Sequence, residues 1–334
     1  MTPAKTDHQF HPRSQYVREP VLVDGITRAG KFLLGHIVAS MSGMEFMQYP
    51  PLLEIALYLT RLGKLDLDTA RILVQTDIDL NTYNMMIGRG LNGRVHDSSS
   101  IHNAADAERF LARAASEDVE SLIAAFQEES RLPLYIGHES LCNGRTLFEI
   151  YPAIRLISLQ RDPLALIWSW YRRGWGRRFG LDPKSMAIGF ATRSGPVPWF
   201  ALNWEPDYYA LSEMDRVIKS IETLQALARE EYEALTVEQR ARVHFVAYEE
   251  ILLDPTTVIG GISRYLGRPP LAQMPAILAR ERVPRAVPPG QRRGLFEQLR
   301  REMSPDLAPA VESLMADYDG YWMTLVTKQR NSGS

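Results

Sequence analysis

The sequence predicts an α/β fold, a three-layer α/β/α sandwich around a central parallel sheet, carrying helical insertions. Three observations predict it. Short apolar runs of strand length recur at residues 21–23, 134–137, 154–159 and 243–247, as parallel strands covered on both faces require. Helical spacing follows them, at 164–171 after the third run and 256–266 after the fourth. Strand alternating with helix is the pattern of a parallel sheet with helices on both sides. With 334 residues, 45% hydrophobic and 23% charged, the chain can fill a full core. It reads as one large domain over 21–325, with a flexible arm over 1–20 and a tail over 326–334.

Taken in order, residues 1–20 are polar and aperiodic. The run Val21-Leu22-Val23 ends at Asp24-Gly25 and reads as a buried strand. Residues 33–41 have helical spacing and 44–49 suit a second strand. Residues 52–62, 66–77 and 104–128 have helical periodicity with acidic first turns, forming an insertion over about 51–130. A second insertion spans about 174–240 and includes a long amphipathic helix over 214–235. A terminal helix is expected over 306–318. Residues 194–198 and 287–290 are rich in Gly and Pro and read as exposed loops, and 331–334 as a disordered end.

The bulk numbers exclude several classes. A formal charge of −2 argues against a generally basic nucleic-acid binder. The single cysteine, Cys142, cannot form an internal disulfide or a multi-Cys zinc site and suits a reducing compartment. No stretch has the length and apolarity of a membrane span. The first twenty residues lack the apolar centre of a secretory signal. A cytoplasmic location is expected.

The first chemical site is Asp24-Gly25-Ile26-Thr27-Arg28-Ala29-Gly30-Lys31-Phe32-Leu33-Leu34. A strand enters a Gly-bounded loop that opens a helix, so backbone N–H groups and the helix dipole form an anion cradle. Arg28 and Lys31 add cations. Gly25-x4-Gly30-Lys31 follows a P-loop spacing, as in P-loop NTPase-like folds, until Phe32 replaces the Ser or Thr that would hold Mg²⁺. Sulfuryl transfer can proceed without metal, on fixed cations and amides, so Phe32 weighs against NTP hydrolysis more than against sulfuryl transfer. An ordinary strand–turn–helix with two solvated cations is the alternative. The second site is the run ending Leu159-Gln160-Arg161-Asp162-Pro163, with Ser169 two turns along the next helix. It brings Arg161 to a strand's C-terminal end, where open α/β sheets bind ligands. Arg161 can fork onto a phosphate that Ser169 also reaches. A structural ion pair and a packed serine are the alternative.

With these residues in place the chain resembles the sulfotransferase superfamily. Its first loop is similar to that family's 5′-phosphosulfate loop, and Arg161-Asp162-Pro163 with Ser169 to its 3′-phosphate motif. Tyr248-Glu249-Glu250-Ile251-Leu252-Leu253-Asp254-Pro255, running on to Tyr265-Leu266-Gly267, resembles its third landmark. The resemblance implies 3′-phosphoadenosine-5′-phosphosulfate as co-substrate with no metal required, and an acceptor hydroxyl. It implies that Arg28 touches the oxygen bridging sulfur and the 5′-phosphate, and that Ala29, Gly30, Lys31, Phe32 and Leu33 form the cradle. Lys31-Phe32 departs from the family's Thr-Thr: either Lys31 supplies charge in place of hydroxyls, or the co-substrate sits slightly differently. Arg161 and Ser169 would hold the 3′-phosphate and Tyr248 would lie near adenine. The best match to the family's C-terminal basic loop is Arg292-Arg293-Gly294, with Arg282 and Arg285 nearby; a solvated arginine face is the alternative.

Sulfuryl transfer needs a group to take the acceptor's proton. His138, at the end of a strand and upstream of Arg161 as in cytosolic sulfotransferases, is the first candidate. Glu54 is the reserve and Glu139 a third. Five of the six tryptophans, Trp168, Trp170, Trp175, Trp199 and Trp204, interleave with Arg172, Arg173, Arg177 and Arg178. Aromatic faces beside arginines suit a small-molecule or glycan acceptor, such as a lipid-linked sugar, and a helix core with a wet basic face is the alternative. A Mg²⁺-dependent P-loop kinase or NTPase, or a non-catalytic binder of the same nucleotide, are the rival functions.

Overall fold

The structure, a computed structural model, describes residues 10–11, 14–179, 181–185, 187–288 and 290–331. The first half runs β1 (Val21–Asp24), α1 (Lys31–Ala39) and β2 (Met44–Gln48), then α2 (Pro51–Arg61), α3 (Leu67–Met86), α4 (Ala107–Ala115) and α5 (Val119–Glu128). It returns to the sheet through β3 (Leu132–Ile136), α6 (Gly144–Ile150), β4 (Arg155–Gln160) and α7 (Pro163–Arg172). An excursion follows through α8 (Trp175–Arg178), the strands β5 (Gly189–Ala191) and β6 (Pro196–Pro198), α9 (Glu205–Tyr208), α10 (Glu213–Glu233) and α11 (Val237–Arg240). The last stretch is β7 (Val243–Ala247), α12 (Tyr248–Leu253), α13 (Pro255–Leu266), α14 (Met274–Arg280), α15 (Gln291–Glu302), α16 (Ala308–Asp317) and α17 (Met323–Asn331).

Five strands form one sheet in the order β2-β3-β1-β4-β7, every pair parallel. All five are strands the sequence predicts. Successive side chains point to opposite faces of a strand, and here both faces are apolar. Val21 and Val23, Leu134 and Ile136, and Ile157 and Leu159 pack with α1, α13 and α14 on one side. Leu22, Tyr135, Leu156 and Phe245 pack with α2, α3, α6, α7, α10 and α16 on the other. The sheet is thus sandwiched between two helical layers, as expected. Its register aligns Leu22 with both Tyr135 and Leu156, so β1 lies at the centre and its C-terminal end faces the middle of one edge. Helix α7 starts where the sequence places it: Pro163 is its first residue and the Asp162 carboxylate accepts from the Leu164 and Ala165 amides.

Several local expectations are corrected. The helix expected over 66–77 continues to Met86, because its apolar face (Val74, Ile78, Met85) stays buried past Asp77. The one expected over 104–128 is two, broken at residues 116–118, where Ser116 is extended and Asp118 caps α5 by accepting from Ser121 N. Residues 194–198 are not simply an exposed loop: Pro196–Pro198 pairs antiparallel with Gly189–Ala191 and Val197 is fully buried. Where a tail was expected from 326, α17 runs to Asn331 with Val326 buried; residues 332–334 lie outside the described residues. Of the expected arm, residues 1–9, 12 and 13 lie outside the described residues. Val17 is buried with Met86, Ile87 and Phe126, and its carbonyl accepts from Tyr151 Oη at 2.5 Å.

Candidate functional site

The C-terminal ends of β1, β3, β4 and β7 converge, and the phosphate loop is built there. After Asp24 the chain turns through Gly25 to Gly30 into α1. A Cβ on Gly25 would lie 2.6 Å from the Leu159 carbonyl oxygen, so only glycine lets the loop pass β4. Gly30 has φ +108°, and a Cβ there would lie 2.5 Å from the Tyr248 ring. Arg28 also has positive φ, +74°, an uncommon conformation for a non-glycine residue that the neighbours hold in place. Arg161 Nη1 donates to the Arg28 carbonyl at 2.6 Å, Trp170 Nε1 to the Thr27 carbonyl at 2.6 Å, and Lys31 Nζ to the Gly25 carbonyl at 2.6 Å. With the carbonyls engaged from behind, the amides of Gly30, Lys31 and Phe32 have no intramolecular partner among the described residues. First-turn amides in that state are an anion cradle.

Two adjoining cavities open from this loop, and Arg28 and Arg161 line both. The smaller, about 560 Å³, also takes in Trp168, Ser169, Arg172, Arg173 and Gln291. The larger, about 710 Å³, takes in Gly30, Lys31, Phe32, Leu33, Glu54, His138 and Tyr248. The structure therefore brings Arg28, Gly30, Lys31, Phe32, Leu33, Arg161, Ser169 and Tyr248 into one region, as the sequence reading expects. The Arg161 guanidinium stacks 4.6 Å from the centre of the Tyr248 ring, whose hydroxyl accepts from Arg285 Nη2 at 2.9 Å.

Other expectations fail in detail. Ala29 is buried and its amide donates to the Ile26 carbonyl at 2.9 Å, so it is not free for an anion. Lys31 lies beneath the loop, only 4% exposed, between Glu139, Asp24 and Glu54; burial lowers its pKa against the pull of those acids. Arg292-Arg293-Gly294 is no loop but the first turn of α15. Arg292 is held by Asp162 at 2.7 Å and Asp319 at 2.8 Å, and α15 reaches the smaller cavity through Gln291 and Leu295 instead. The sequence reading gave Arg172 and Arg173 to the acceptor side; their place in the lining beside Ser169 follows from helical spacing, since i+3 and i+4 share a face.

The proposed bases are not alternatives but neighbours. His138 follows β3, and the buried Asp24 carboxylate accepts from the Ser140 and Leu141 amides at 2.9 and 3.0 Å, fixing the turn that carries it. Glu54, in the first turn of α2, faces it. Its Oε1 accepts from the His138 amide at 2.5 Å and lies 2.8 Å from His138 Nδ1; its Oε2 accepts from Tyr49 Oη at 2.7 Å. Burial pushes Glu54 up to about 8, with Tyr49 and Lys31 opposing, and pushes His138 down to about 4, with Lys31 assisting. The imidazole is thus neutral across the ordinary range, and the proton that titrates near 8 rests on Glu54. Glu139 has a different task. At φ +55° it turns back so that its carboxylate accepts from the Thr27 amide at 2.6 Å, and burial raises its pKa.

The tryptophans divide. Trp175 and Trp199 join Tyr58, Phe179 and Phe200 in walling the larger cavity, with Tyr58 and Trp199 stacked at 5.8 Å. Trp170 is core and holds the loop, Trp168 lines the smaller cavity, and Trp204 donates to Thr223 Oγ1 at 3.1 Å. Among the described residues no cluster of three or more His, Cys, Asp or Glu could hold a metal, and no helix is long and apolar enough to cross a membrane.

Comparison with known proteins follows the geometry. The chain is similar in fold to the sulfotransferase domain of the curacin biosynthetic pathway (14% identity, TM-score 0.49, covering 92% of this chain and 99% of that one). It is also similar to the sulfotransferase domain of the Synechococcus PCC 7002 olefin synthase (14%, 0.41, 98% and 98%) and to a sulfotransferase from Alicyclobacillus acidocaldarius (14%, 0.38, 90% and 96%). A sequence search of curated proteins finds no match. Residues 68–282, more than half of the chain, match the family described as "Sulfotransferase domain". The chain belongs to the sulfotransferase domain family, a family of transferases.

Proposed function

We propose that this sulfotransferase uses 3′-phosphoadenosine-5′-phosphosulfate as donor and sulfates a hydroxyl of a small-molecule acceptor seated in the larger cavity. One observation carries the reading: a free-amide cradle and the His138–Glu54 pair line the same cavity, and Arg28 and Arg161 join it to a second, arginine-rich one. The phosphosulfate belongs at the Gly30–Phe32 amides and the 3′-phosphate in the smaller cavity, with adenine beside Tyr248. The acceptor hydroxyl attacks sulfur as the bond from sulfur to the bridging oxygen breaks. The acceptor's proton goes to His138 Nε2, since Nδ1 is turned to Glu54, and the imidazolium formed is balanced by the carboxylate. The leaving phosphate keeps the electron pair of the broken bond, and Arg28 meets the charge that develops there. The cavity's aromatic walls exclude water and fit a flat or ring-bearing acceptor.

The test is titration with adenosine 3′,5′-bisphosphate, followed by transfer of labelled sulfate from the donor to a panel of hydroxyl compounds. Stabilisation by the bisphosphate without metal, and label on an acceptor, are the expected results. Stabilisation only by ATP with Mg²⁺ would return the chain to nucleotide kinase chemistry. Bisphosphate binding with no transfer to any acceptor would leave a binder.

A further inference from the structure

In the larger cavity the polar groups nearest the base are already engaged with one another. Glu54 is bonded by His138 and Tyr49, and Glu139 by the Thr27 amide. Asn143 is different. It closes the short turn Ser140–Asn143 that follows His138, immediately before α6. It is 3% exposed and lines the cavity. Its Oδ1 is buried without a hydrogen-bond partner among the described residues. An asparagine just before a helix ordinarily caps it, its oxygen accepting from the second or third helical amide. Asn143 makes no such bond.

The reason is that another residue does the capping. The second amide of α6, Arg145 N, donates to the Glu231 carboxylate of α10 at 2.9 Å. Arg61 clamps the other side of the turn, its Nη1 donating to the Cys142 carbonyl at 3.2 Å and to Glu231 at 2.6 Å. The turn is therefore held without the Asn143 side chain, whose loss of water goes uncompensated. Native proteins keep such a group where a guest completes it. The second side-chain torsion of asparagine is broad, so a small rotation turns either end of the carboxamide to that guest. A hydroxyl suits it, since it both donates and accepts. We propose that Asn143 determines acceptor specificity by hydrogen-bonding a second hydroxyl, so that the preferred acceptor is a ring compound with two hydroxyls, one sulfated at His138 and one held at Asn143. The second hydroxyl keeps its proton and takes no part in transfer. This rests on the acceptor reading given above, whose aromatic walls supply the fit for the ring.

The experiment measures kcat and KM for transfer of labelled sulfate by the full chain, Asn143→Leu and Asn143→Ala. The probes are phenol with the three dihydroxybenzenes, and 2-naphthol with 2,6- and 2,7-dihydroxynaphthalene, which vary the separation of the hydroxyls. Thermal unfolding and bisphosphate affinity are read alongside. The expected result is that the wild type prefers at least one diol to its single-hydroxyl counterpart by about 10- to 100-fold in kcat/KM, beyond the doubling that a second equivalent hydroxyl brings by statistics. In both variants the preference collapses through the KM of the diol, with bisphosphate affinity kept. Asn143→Leu should unfold at or above the wild-type Tm, because apolar atoms replace an unpartnered carboxamide. A wild type with no preference for any diol, or a preference that survives in both variants, overturns the assignment. So does a lowered Tm in both variants with an equal loss on every probe, which would make Asn143 part of the turn's framework. Transfer to none of the probes while the bisphosphate binds overturns instead the ring-bearing acceptor of the reading above, and a chain that binds no bisphosphate overturns its donor.

Discussion

Glu54→Gln separates the two roles combined in the His138–Glu54 pair. Gln keeps the length and can still accept from His138 Nδ1, but it loses the charge. A hydrogen bond to a charged group contributes about 1.5–3 kcal/mol against about 0.5–1.5 for a neutral one. The imidazolium formed during transfer therefore loses about 1–2 kcal/mol of support, or about 5- to 30-fold in kcat. The pH dependence changes more than the ceiling does. In the wild type the competent state is neutral imidazole with ionised carboxylate, and it requires loss of the proton that burial holds on Glu54 up to about 8. At pH 6 about one molecule in a hundred is in that state. Without the carboxyl, His138 alone titrates, and burial keeps it at about 4, so the variant is competent at every pH above that. The curves cross: at pH 9 the wild type leads by about 5- to 30-fold, and at pH 6 the variant leads by about 3- to 20-fold. The assay is kcat under saturating donor and acceptor from pH 5 to 9.5. A limb that stays near 8 in the variant, or a variant slower at every pH, refutes the assignment of that limb to Glu54.

Three further outcomes are expected. His138→Ala removes the base and should cost about 10²–10⁴ in kcat with bisphosphate affinity unchanged, read by single-turnover kinetics and calorimetry. Gly30→Ala puts a Cβ 2.5 Å from the Tyr248 ring at a φ of +108°, so nucleotide affinity should fall at least tenfold on the order of 1.4 kcal/mol, with near-ultraviolet dichroism reporting the displaced ring. Lys31→Met leaves the buried Gly25 carbonyl with only its longer bond, from the Glu139 amide at 3.3 Å, and thermal unfolding should show a loss of about 1–3 kcal/mol; an unchanged Tm would mean that the lysine does not brace the loop.

The sheet was legible because its strands are short, mostly apolar runs, broken only by single polar residues such as Glu45, Ser158 and His244, and a strand covered on both faces needs no alternation to announce itself. The loop was legible because Gly25 and Gly30 stand where only glycine fits. The hairpin at Pro196–Pro198 was not: two prolines flanking a single Val197 read as punctuation, although they are tolerated in so short a pair. Helix α15 starts after a Gly with a basic, highly polar turn, and its single fully buried residue, Leu299, is too little apolar signal to outvote a loop. Above all, the pairing of Glu54 with His138 spans 84 residues. Each residue could be nominated on its own, but their contact depends on β2 and β3 being neighbours in the sheet. Lys31's retreat beneath the loop was hidden likewise, since the acids that draw it in, Asp24, Glu54 and Glu139, come from three separate segments.

Arg28 and Arg161 border both chambers, and this has a kinetic consequence. Whichever guest enters first alters the electrical setting met by the second, so arrival order matters. An anionic donor quenches both guanidiniums and leaves the aromatic chamber ready for an uncharged partner, whereas a partner entering alone meets bare cations at its inner end. Turnover should follow an ordered sequence with nucleotide first in and last out, and the spent nucleotide should compete with fresh donor while trapping the acceptor in dead-end complexes.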